Sequence, residues 1–351
     1  MAPLSERIGG ISMALYNLEL LILLVANVSC LLFLQVLRRT KCFHLNLRLL
    51  LANFSFTFIL VIVSRYLIIA PLWVAYAFDI DVGGIPYCRF AKTLHDTAIY
   101  VTGLGLAVLV IERTVATLFV RIYETTERRS VGMALLVLQW VFGLLFVLAN
   151  QIDAADQRTE KLACQMEYTS HRALLISLLT IIAMDAIAML VFLALLKINQ
   201  QNYRSRARQA THPKLSERYQ TAENIRATRL LFPLVVAYLL ASLLAGGILL
   251  FGLYNYDKTS PRAFRLRYRA VFQSFDLITA FYAAMFPYLA MYGHSSLLTA
   301  MKSTIFGAKD PVNRDPESIP LSMDGRRLVV PPRREAEIHF AHLDAIWNRP
   351  T

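Results

Sequence analysis

The sequence predicts an all-α membrane protein, a bundle of seven transmembrane helices, and two observations support this fold class. Of the 351 residues, 56% are hydrophobic and 17% are charged, whereas soluble domains carry about 45–50% apolar and about 25% charged residues. The apolar residues also fall in long uninterrupted blocks, and about 20 such residues in a helix are needed to cross a bilayer. This pattern excludes a disordered, fibrous or ordinary soluble protein.

Seven stretches are long and apolar enough to span a bilayer, and each must be a helix because unpaired backbone groups cannot be hydrated in lipid. Their predicted bounds are about 11–37, 45–70, 88–111, 130–152, 173–196, 230–256 and 270–292. The third span is the least apolar, and the fourth and sixth contain no charged residue. The first is too long for the apolar region of a signal peptide, so we expect it to act as an anchor. Residues 1–294 are therefore predicted to form one bundle.

The residues after the seventh span divide into two parts. Residues 295–306 are predicted to form an amphipathic helix on the membrane surface, since apolar side chains recur there at helical spacing. These side chains are Leu297, Leu298, Met301, Ile305 and Phe306. Gly307 would end the helix. Residues 307–351 carry several prolines and many charges, which predicts a mostly disordered cytoplasmic tail.

The distribution of Lys and Arg predicts the orientation, because cytoplasmic loops carry an excess of both. The loops after spans 1, 3 and 5, together with the C-terminal tail, hold 24 of the 36. The opposite side holds 11, including a basic run at 262–269 that runs against the trend. We therefore expect the N-terminus outside and the C-terminus in the cytoplasm. Much of the net charge of +12 then faces the anionic inner leaflet, and nucleic acid is not an expected partner.

Two of the four cysteines lie on the predicted outer side. Cys88 begins span 3, and Cys164 lies in the loop between spans 4 and 5. Oxidising conditions outside the cell favour a disulfide between them, which would tie that loop over the bundle. Cys30 lies within span 1 and Cys42 in the first inner loop. The alternative is that all four thiols are free.

An acid–arginine pair, Glu112 and Arg113, lies at the inner end of span 3. Cys88 and Arg113 are 25 residues apart, which is roughly 37 Å in a helix and corresponds to one membrane crossing. The acid can hold the arginine in one rotamer, and release would free Arg113 to bond a partner. Glu223, at the foot of span 6, is a second candidate acidic partner. The alternative is ordinary anchoring of basic residues at the membrane interface.

Charged groups inside a membrane are costly and tend to mark function. The side chains predicted to line an outward-facing ligand pocket are Arg65, Lys92, His95, Asp96, Tyr100 and Asp276. The aromatic side chains predicted to wall it are Tyr100, Tyr254 and Tyr282. Glu19 lies at a similar depth, and Asp185 lies nearer the middle of its span. The alternative is that salt bridges between helices, such as Arg65 with Asp96 or Asp276, only hold the bundle together.

The local sequence around the acid–arginine pair is more specific. It reads IERTVAT at 111–117, followed by YE at 123–124. Two further stretches are FHLNL at 43–47, entering span 2, and YQTAENIR at 219–226, entering span 6. Together they resemble the nematode serpentine chemoreceptors of the Sre type, which are G-protein-coupled receptors. The resemblance covers the seven spans and implies a plasma-membrane chemosensory receptor with a small-molecule ligand and a heterotrimeric G protein as partners.

The resemblance also assigns roles to individual residues. Glu112 and Arg113 match the acid–arginine switch of rhodopsin-like receptors, and Cys88 and Cys164 match their usual disulfide. The mid-helix landmarks of spans 1 and 4 are matched by Asn27 and Trp140. The sequence departs from the rhodopsin-like pattern in two places. Span 2 has no acid in its middle, where sodium is usually coordinated, and span 7 reads FPYLA at 286–290 in place of the usual Asn-Pro-x-x-Tyr motif.

Two other function classes compete with a receptor. Intramembrane charges are also found in transporters and channels, but the Gly and Pro interruptions are not paired between the two halves of the chain, as inverted repeats would require. An intramembrane enzyme is not expected, since the sequence has no HExxH motif, no paired aspartates within the spans and only scattered histidines. No cofactor and no metal site are predicted.

Overall fold

The computed structural model describes residues 10–40, 44–80, 85–119, 130–154, 171–208, 215–255, 262–292 and 295–306. Within these ranges the chain forms nine α-helices and no strand. They are α1 (Gly10–Arg39), α2 (Leu45–Phe78), α3 (Ile85–Gly103), α4 (Gly105–Leu118), α5 (Ser130–Ala154), α6 (His171–Arg208), α7 (Leu215–Asn255), α8 (Arg262–Tyr292) and α9 (Ser295–Phe306). Cys42, Cys164 and the predicted tail at 307–351 lie outside the described residues.

In the described part of the chain, seven segments are long and apolar enough to cross a membrane, which confirms the predicted bundle. They are Gly10–Arg39, Leu45–Phe78, Pro86–Leu118, Val131–Gln151, Ala173–Asn202, Ala227–Gly252 and Gln273–Tyr292. All seven lie in the first of two compact units, Met1–Met301 and Lys302–Thr351. The orientation of the bundle across the membrane stays a prediction, and so does a position of α9 on the membrane surface.

The third span consists of two consecutive helices, α3 and α4, and lies against α2, α5, α6 and α7. The break is at Leu104, between Gly103 and Gly105, but the backbone hydrogen bonds continue across it. A Cβ atom at Gly105 would lie 2.3 Å from Cζ of Phe54. A side chain at this position would therefore collide with the Phe54 ring unless that ring shifted, which favours glycine here.

The centre of the bundle is an aromatic core contributed by four helices, α1, α2, α7 and α8. Its rings are Phe33, Phe54, Phe58, Tyr238, Tyr282 and Phe286. Phe54 stacks on Phe286 at 5.6 Å, while Tyr238 meets Tyr282 edge to face at 5.5 Å. Aromatic pairs of this kind contribute about 0.5–1.5 kcal/mol each beyond the area they bury.

The outer surface of the bundle is apolar and its interior is partly polar. Large side chains such as Leu21, Leu190 and Leu240 are exposed, whereas Glu19 and Asp185 are fully buried. This distribution is expected of helices in lipid, where association depends on packing and on hydrogen bonds between helices. Such bonds join the second, third and fourth spans. Asn53 on α2 donates to the Gln139 amide oxygen on α5 and accepts from the Trp140 indole on α5. The Gln139 amide nitrogen donates to the Val101 carbonyl on α3.

Candidate functional sites at the two ends of the bundle

The third span separates two candidate sites. Cys88 lies near the start of α3, and Arg113 lies near the end of α4, so we refer to the Cys88 end and the Arg113 end of the bundle. Cys88 is buried and disulfide-bonded. Its predicted partner, Cys164, lies outside the described residues, so the pairing of Cys88 with Cys164 stays a prediction. Cys30 is buried with a free thiol.

At the Cys88 end, Arg65 of α2 lies at the centre of a buried cluster of charged side chains. Its guanidinium binds both carboxylate oxygens of Glu19 on α1, with Nε 2.5 Å from Oε1 and Nη2 2.8 Å from Oε2. A third nitrogen, Nη1, lies 3.0 Å from Oδ2 of Asp276 on α8. Arginine suits this position because its planar fork matches carboxylates in a bidentate geometry and remains charged when buried.

His95 joins the third span to the same cluster. Its Nε2 atom lies 3.2 Å from Oδ1 of Asp276, to which it donates, and its Nδ1 atom lies 3.2 Å from Oγ of Ser64 on α2. His95 is 3% exposed and Arg65 is 6% exposed. Four helices thus meet in one hydrogen-bonded cluster. Arg65 pairs with Glu19 and with Asp276, and Asp276 also pairs with His95. We call these four residues, with Ser64, the α1–α2–α3–α8 cluster.

The structure divides the six predicted pocket residues into three groups. Arg65, His95 and Asp276 belong to the cluster just described. Lys92 and Asp96 pair with each other, with Nζ 2.7 Å from Oδ1, and their side chains are 32% and 17% exposed. The predicted alternative of an Arg65–Asp276 salt bridge is present, whereas Asp96 has Lys92 as its partner.

Tyr100 lies in a different polar group, which joins α3 to α5 and α6. Its hydroxyl is 2.8 Å from Oγ of Ser177 and accepts from Nδ2 of Asn150 at 2.7 Å, while its ring stacks on Phe146 at 5.5 Å. The other two tyrosines predicted to wall the pocket are placed elsewhere. Tyr282 is part of the aromatic core, and Tyr254 is 91% exposed. This exposure does not support a place for Tyr254 in the wall of a pocket.

Sequence reasoning missed a polar side chain next to the cluster. Gln273 lies three residues before Asp276 on α8 and is 5% exposed, yet neither atom of its amide has a hydrogen-bond partner. The spacing of three residues places it on the same face of the helix as Asp276. That spacing was the available signal, but an uncharged glutamine near a helix end does not stand out in the sequence.

At the Arg113 end, the predicted pair is formed within α4. Nε and Nη2 of Arg113 bind the two carboxylate oxygens of Glu112 at 2.5 and 2.6 Å. Glu112 is 0% exposed and Arg113 is 4% exposed. The side chain of Glu223, the second predicted acidic partner, is outside the described part of the chain.

His44 lies beside this pair and caps the start of α2, where its Nδ1 atom accepts a hydrogen bond from the Asn46 amide at 3.4 Å. Burial lowers the pKa of His44 below its ordinary value, the charge of Glu112 opposes this change, and the charge of Arg113 adds to it. The neutral imidazole that this environment favours is also the form that can accept the capping hydrogen bond.

The helix α7 is held to its neighbours by hydrogen bonds along its length. The Tyr238 hydroxyl donates to the Thr102 carbonyl at 2.9 Å, just before the break in the third span, and the Ser242 hydroxyl donates to Asp185 on α6 at 2.9 Å. Nearer the Arg113 end, the Asn224 amide donates to the Ala116 carbonyl at 3.2 Å.

Among the described residues, no group of three or more His, Cys, Asp or Glu side chains could hold a metal ion.

Comparison with known proteins agrees with this architecture. Residues 11–266 match the family of serpentine-type seven-transmembrane G-protein-coupled chemoreceptors of class ab. A probable G-protein coupled receptor of Caenorhabditis elegans is 28% identical over 357 aligned positions, which cover 98% of this chain and 94% of the relative. Serpentine receptor class alpha/beta-14 of the same organism is 25% identical over 339 positions, covering 92% and 86%. The resemblance to nematode serpentine chemoreceptors is confirmed, but the match is to class ab and gives no support to the Sre type in particular.

Proposed function

This chain belongs to the family of serpentine seven-transmembrane G-protein-coupled receptors of class ab, and we propose how it works as a chemosensory receptor. It binds a small extracellular molecule at the Cys88 end of the bundle. It signals to a heterotrimeric G protein through Arg113 at the opposite end, in the plasma membrane. The orientation that this requires, with the N-terminus outside, rests on the distribution of Lys and Arg.

The observation that carries the proposal is the buried pair of Glu112 and Arg113. Both oxygens of the Glu112 carboxylate are occupied by one guanidinium, so Nε and Nη2 of Arg113 are engaged within the pair. If the pair separates, Arg113 offers a planar set of donors that can bind the carbonyl groups at the end of a partner helix. The pair thus supports a switch with two states. Arg113 binds Glu112 in the closed state, which this structure has, and binds the G protein in the open state.

The partial exposure of three acidic or basic side chains supports a ligand site at the Cys88 end. Lys92, Asp96 and Asp276 keep 32%, 17% and 17% of their side-chain surface exposed, while Arg65 and His95 are covered. We propose that the ligand first meets these three and Tyr100, with Arg65 and His95 fixing their positions. The ligand must bind the open bundle more tightly than the closed one, since equal affinity shifts no population.

A test that needs no ligand changes the acid of the pair. Glu112→Gln keeps the size of the side chain but removes the charge that holds Arg113, so basal activation of a co-expressed G protein should rise severalfold. Arg113→Ala should lower basal activation at least tenfold, because the proposed contact is lost. Activation is measured as guanine-nucleotide exchange in membranes, at surface expression matched by a quantified epitope tag.

The matched control is Arg89→Ala, which removes an exposed arginine from the Cys88 end and should leave activation unchanged. An unchanged response in Arg113→Ala at equal surface expression would remove Arg113 from the mechanism. Orientation is checked separately with a C-terminal tag. If antibody reached that tag without permeabilisation, the two sites would lie on the wrong sides of the membrane and the proposal would fail.

A further inference from the structure

Asp185, on α6, differs from the other acidic side chains inside the bundle. Its carboxylate is 0% exposed, accepts one hydrogen bond from Ser242 on Oδ2, and has no partner on Oδ1. Glu19, Asp96, Glu112 and Asp276 each have a basic partner within 3.0 Å. In the described part of the chain, Asp185 is thus the buried acid without a basic partner.

Such an arrangement is costly, which indicates that it is retained for a purpose. A buried carboxylate costs several kcal/mol unless a counter-charge or several hydrogen bonds compensate it, and an ionisable side chain inside a membrane bundle is by default a functional-site hypothesis. The charged side chains at the Cys88 end are compensated by one another, so they offer a ligand little additional stabilisation. Asp185 retains an oxygen with unused hydrogen-bonding capacity.

The surroundings of Asp185 define which ligand group would complement it. Two buried tyrosines, Tyr238 and Tyr282, meet edge to face with their ring centroids 5.5 Å apart. Ser242 lies four residues after Tyr238 on α7 and therefore on the same helical face. An alkylammonium group would form a charge-assisted hydrogen bond to the carboxylate and a cation–π contact with the tyrosine rings. An anionic group would be repelled, and an uncharged one would leave the carboxylate uncompensated.

We propose that the ligand of this receptor carries a protonated amine, and that the amine pairs with the free oxygen of Asp185. This inference rests on the proposed receptor function and adds the chemical class of the ligand. Ala173 begins the membrane-spanning part of α6 at the Cys88 end, and Asp185 follows it by 12 residues. Asp185 therefore lies about 18 Å deep along this helix. The amine therefore lies deep in the bundle, and the rest of the ligand extends toward the Cys88 end.

The same contact connects ligand binding to movement of α7. In the closed bundle, the Ser242 hydroxyl occupies the carboxylate from α7 and so ties this helix to α6. An ammonium group bound at Oδ1 neutralises the carboxylate and so weakens the hydrogen bond that Ser242 donates to Oδ2, because a hydrogen bond to an ionised group is about twice as strong as one to a neutral group. Loss of the tie favours states in which α7 has moved, and α7 also contacts α4 near Arg113 through Asn224. The ligand would then bind the open state better than the closed state.

The experiment compares amines with alcohols of the same shape on the purified full-length receptor. The probes are 2-phenylethylamine, cyclohexylmethylamine and hexylamine, each paired with its alcohol, at pH 7, where the amines are protonated. At saturation, at least one amine should raise the midpoint of thermal unfolding by about 3 °C or more, and its alcohol should not. Asp185→Asn should abolish the shift, whereas Asp79→Asn, the same substitution at an exposed residue, should retain it.

A second variant keeps the test decisive if Asp185→Asn fails to fold. Ser242→Ala preserves the carboxylate and removes the hydroxyl that shares its charge, so the amine shift should be at least as large as in the unmodified receptor. The inference is overturned if an alcohol stabilises as well as its amine, if no amine stabilises, or if Asp185→Asn retains the shift. Basal activation of Glu112→Gln reports on the receptor function independently of any probe, so a failure of the amine assignment is distinguishable from a failure of the proposed function.

Discussion

The two ends of the bundle bury charge in different ways. At the Cys88 end, Arg65 of α2 pairs with carboxylates from α1 and α8, and His95 adds a contact from a fourth helix, α3. At the Arg113 end, the buried pair joins two neighbours within α4. An ion pair between helices fixes their relative positions, whereas an ion pair between neighbours in one helix does not by itself tie that helix to another. Salt bridges thus tie four helices together at the Cys88 end, while the Glu112–Arg113 salt bridge at the other end lies within a single helix.

The helix α7 shows the consequence of this difference. Its described side chains contact α3, α4 and α6 through neutral or single hydrogen bonds, from Tyr238, Asn224 and Ser242. A typical hydrogen bond contributes about 0.5–1.5 kcal/mol. The binding free energy of a ligand is therefore large enough to break one of these contacts. Helices α1, α2, α3 and α8, which share the charged cluster, are more strongly held.

The largest expected effect comes from breaking the α1–α2–α3–α8 cluster at its centre. Arg65→Met removes the guanidinium that binds the carboxylates of Glu19 and Asp276, and truncating one partner of a buried ion pair costs about 3–5 kcal/mol. We expect a large loss of surface expression and a thermal unfolding midpoint lowered by several degrees or more in detergent. The loss should exceed that of any single hydrogen bond of α7.

The matched control for this variant is Arg89→Met, which makes the same chemical change at an exposed position of the same end. It should alter the unfolding midpoint by little, because exposed charges contribute about 0–1 kcal/mol. A triple variant, Glu19→Gln with Arg65→Met and Asp276→Asn, removes the charges together and should recover part of the stability. If Arg65→Met unfolded at the same temperature as the unmodified receptor, the Cys88 end would not be held by its charges, and the contrast between the ends would not stand.

An intermediate effect is expected at the junction between the two ends, where the third span breaks. Gly105→Ala places a methyl group 2.3 Å from Cζ of Phe54, and Phe54 is confined by its contacts with Phe58, Tyr238 and Phe286. Overpacking of this kind costs about 1–3 kcal/mol. The free energy of unfolding, or the thermal midpoint, measures the loss.

Gly247→Ala is the control, since a Cβ atom there meets nothing within 4 Å and alanine favours a helix by about 1 kcal/mol over glycine. Its unfolding midpoint should stay the same or rise. Phe54→Leu, added to Gly105→Ala, should relieve part of the collision. Equal behaviour of the two glycine variants would show that Phe54 moves freely and that the junction does not constrain the third span.

The number of spans could be predicted from the sequence because hydropathy follows depth in the membrane. Helix ends were less accessible. The helices α6 and α7 continue into polar residues, to Arg208 and from Leu215, since a helix that has formed keeps its backbone hydrogen bonds beyond the lipid. The Arg65–Asp276 salt bridge was one of two that the sequence predicted. The bidentate contact between Arg65 and Glu19 was not predicted.

Depth alone does not tell which way a side chain faces around its helix. Tyr254 was placed in the pocket wall by depth and is exposed, while Tyr100 faces α5 and α6 and not the charged cluster. The direction depends on how each helix is rotated, which packing at positions such as Gly105 and Gly143 decides. A single sequence contains no direct signal for that rotation.

The smallest expected effect concerns pH at the Arg113 end, where His44 lies beside Glu112 and Arg113. Burial is the main cause that lowers the pKa of His44 below its ordinary value of 6.5. The unfolded chain therefore takes up a proton at a higher pH than the folded one. The stability that neutral His44 contributes is fully present above pH 6.5 and is lost as the pH falls through the lower folded-state value. Protonation also removes the acceptor that caps α2.

His44→Asn tests this contribution, because asparagine can cap a helix and does not titrate. The unfolding midpoint of the unmodified receptor should fall between pH 7.5 and pH 5.5, and in His44→Asn the fall should be smaller by an amount equivalent to less than about 1 kcal/mol. His95→Asn, at the opposite end, is compared under the same conditions to separate the two histidines. If His44→Asn showed the same pH dependence as the unmodified receptor, His44 would titrate alike in the folded and unfolded chain, and the Arg113 end would respond to pH no more than an exposed surface does.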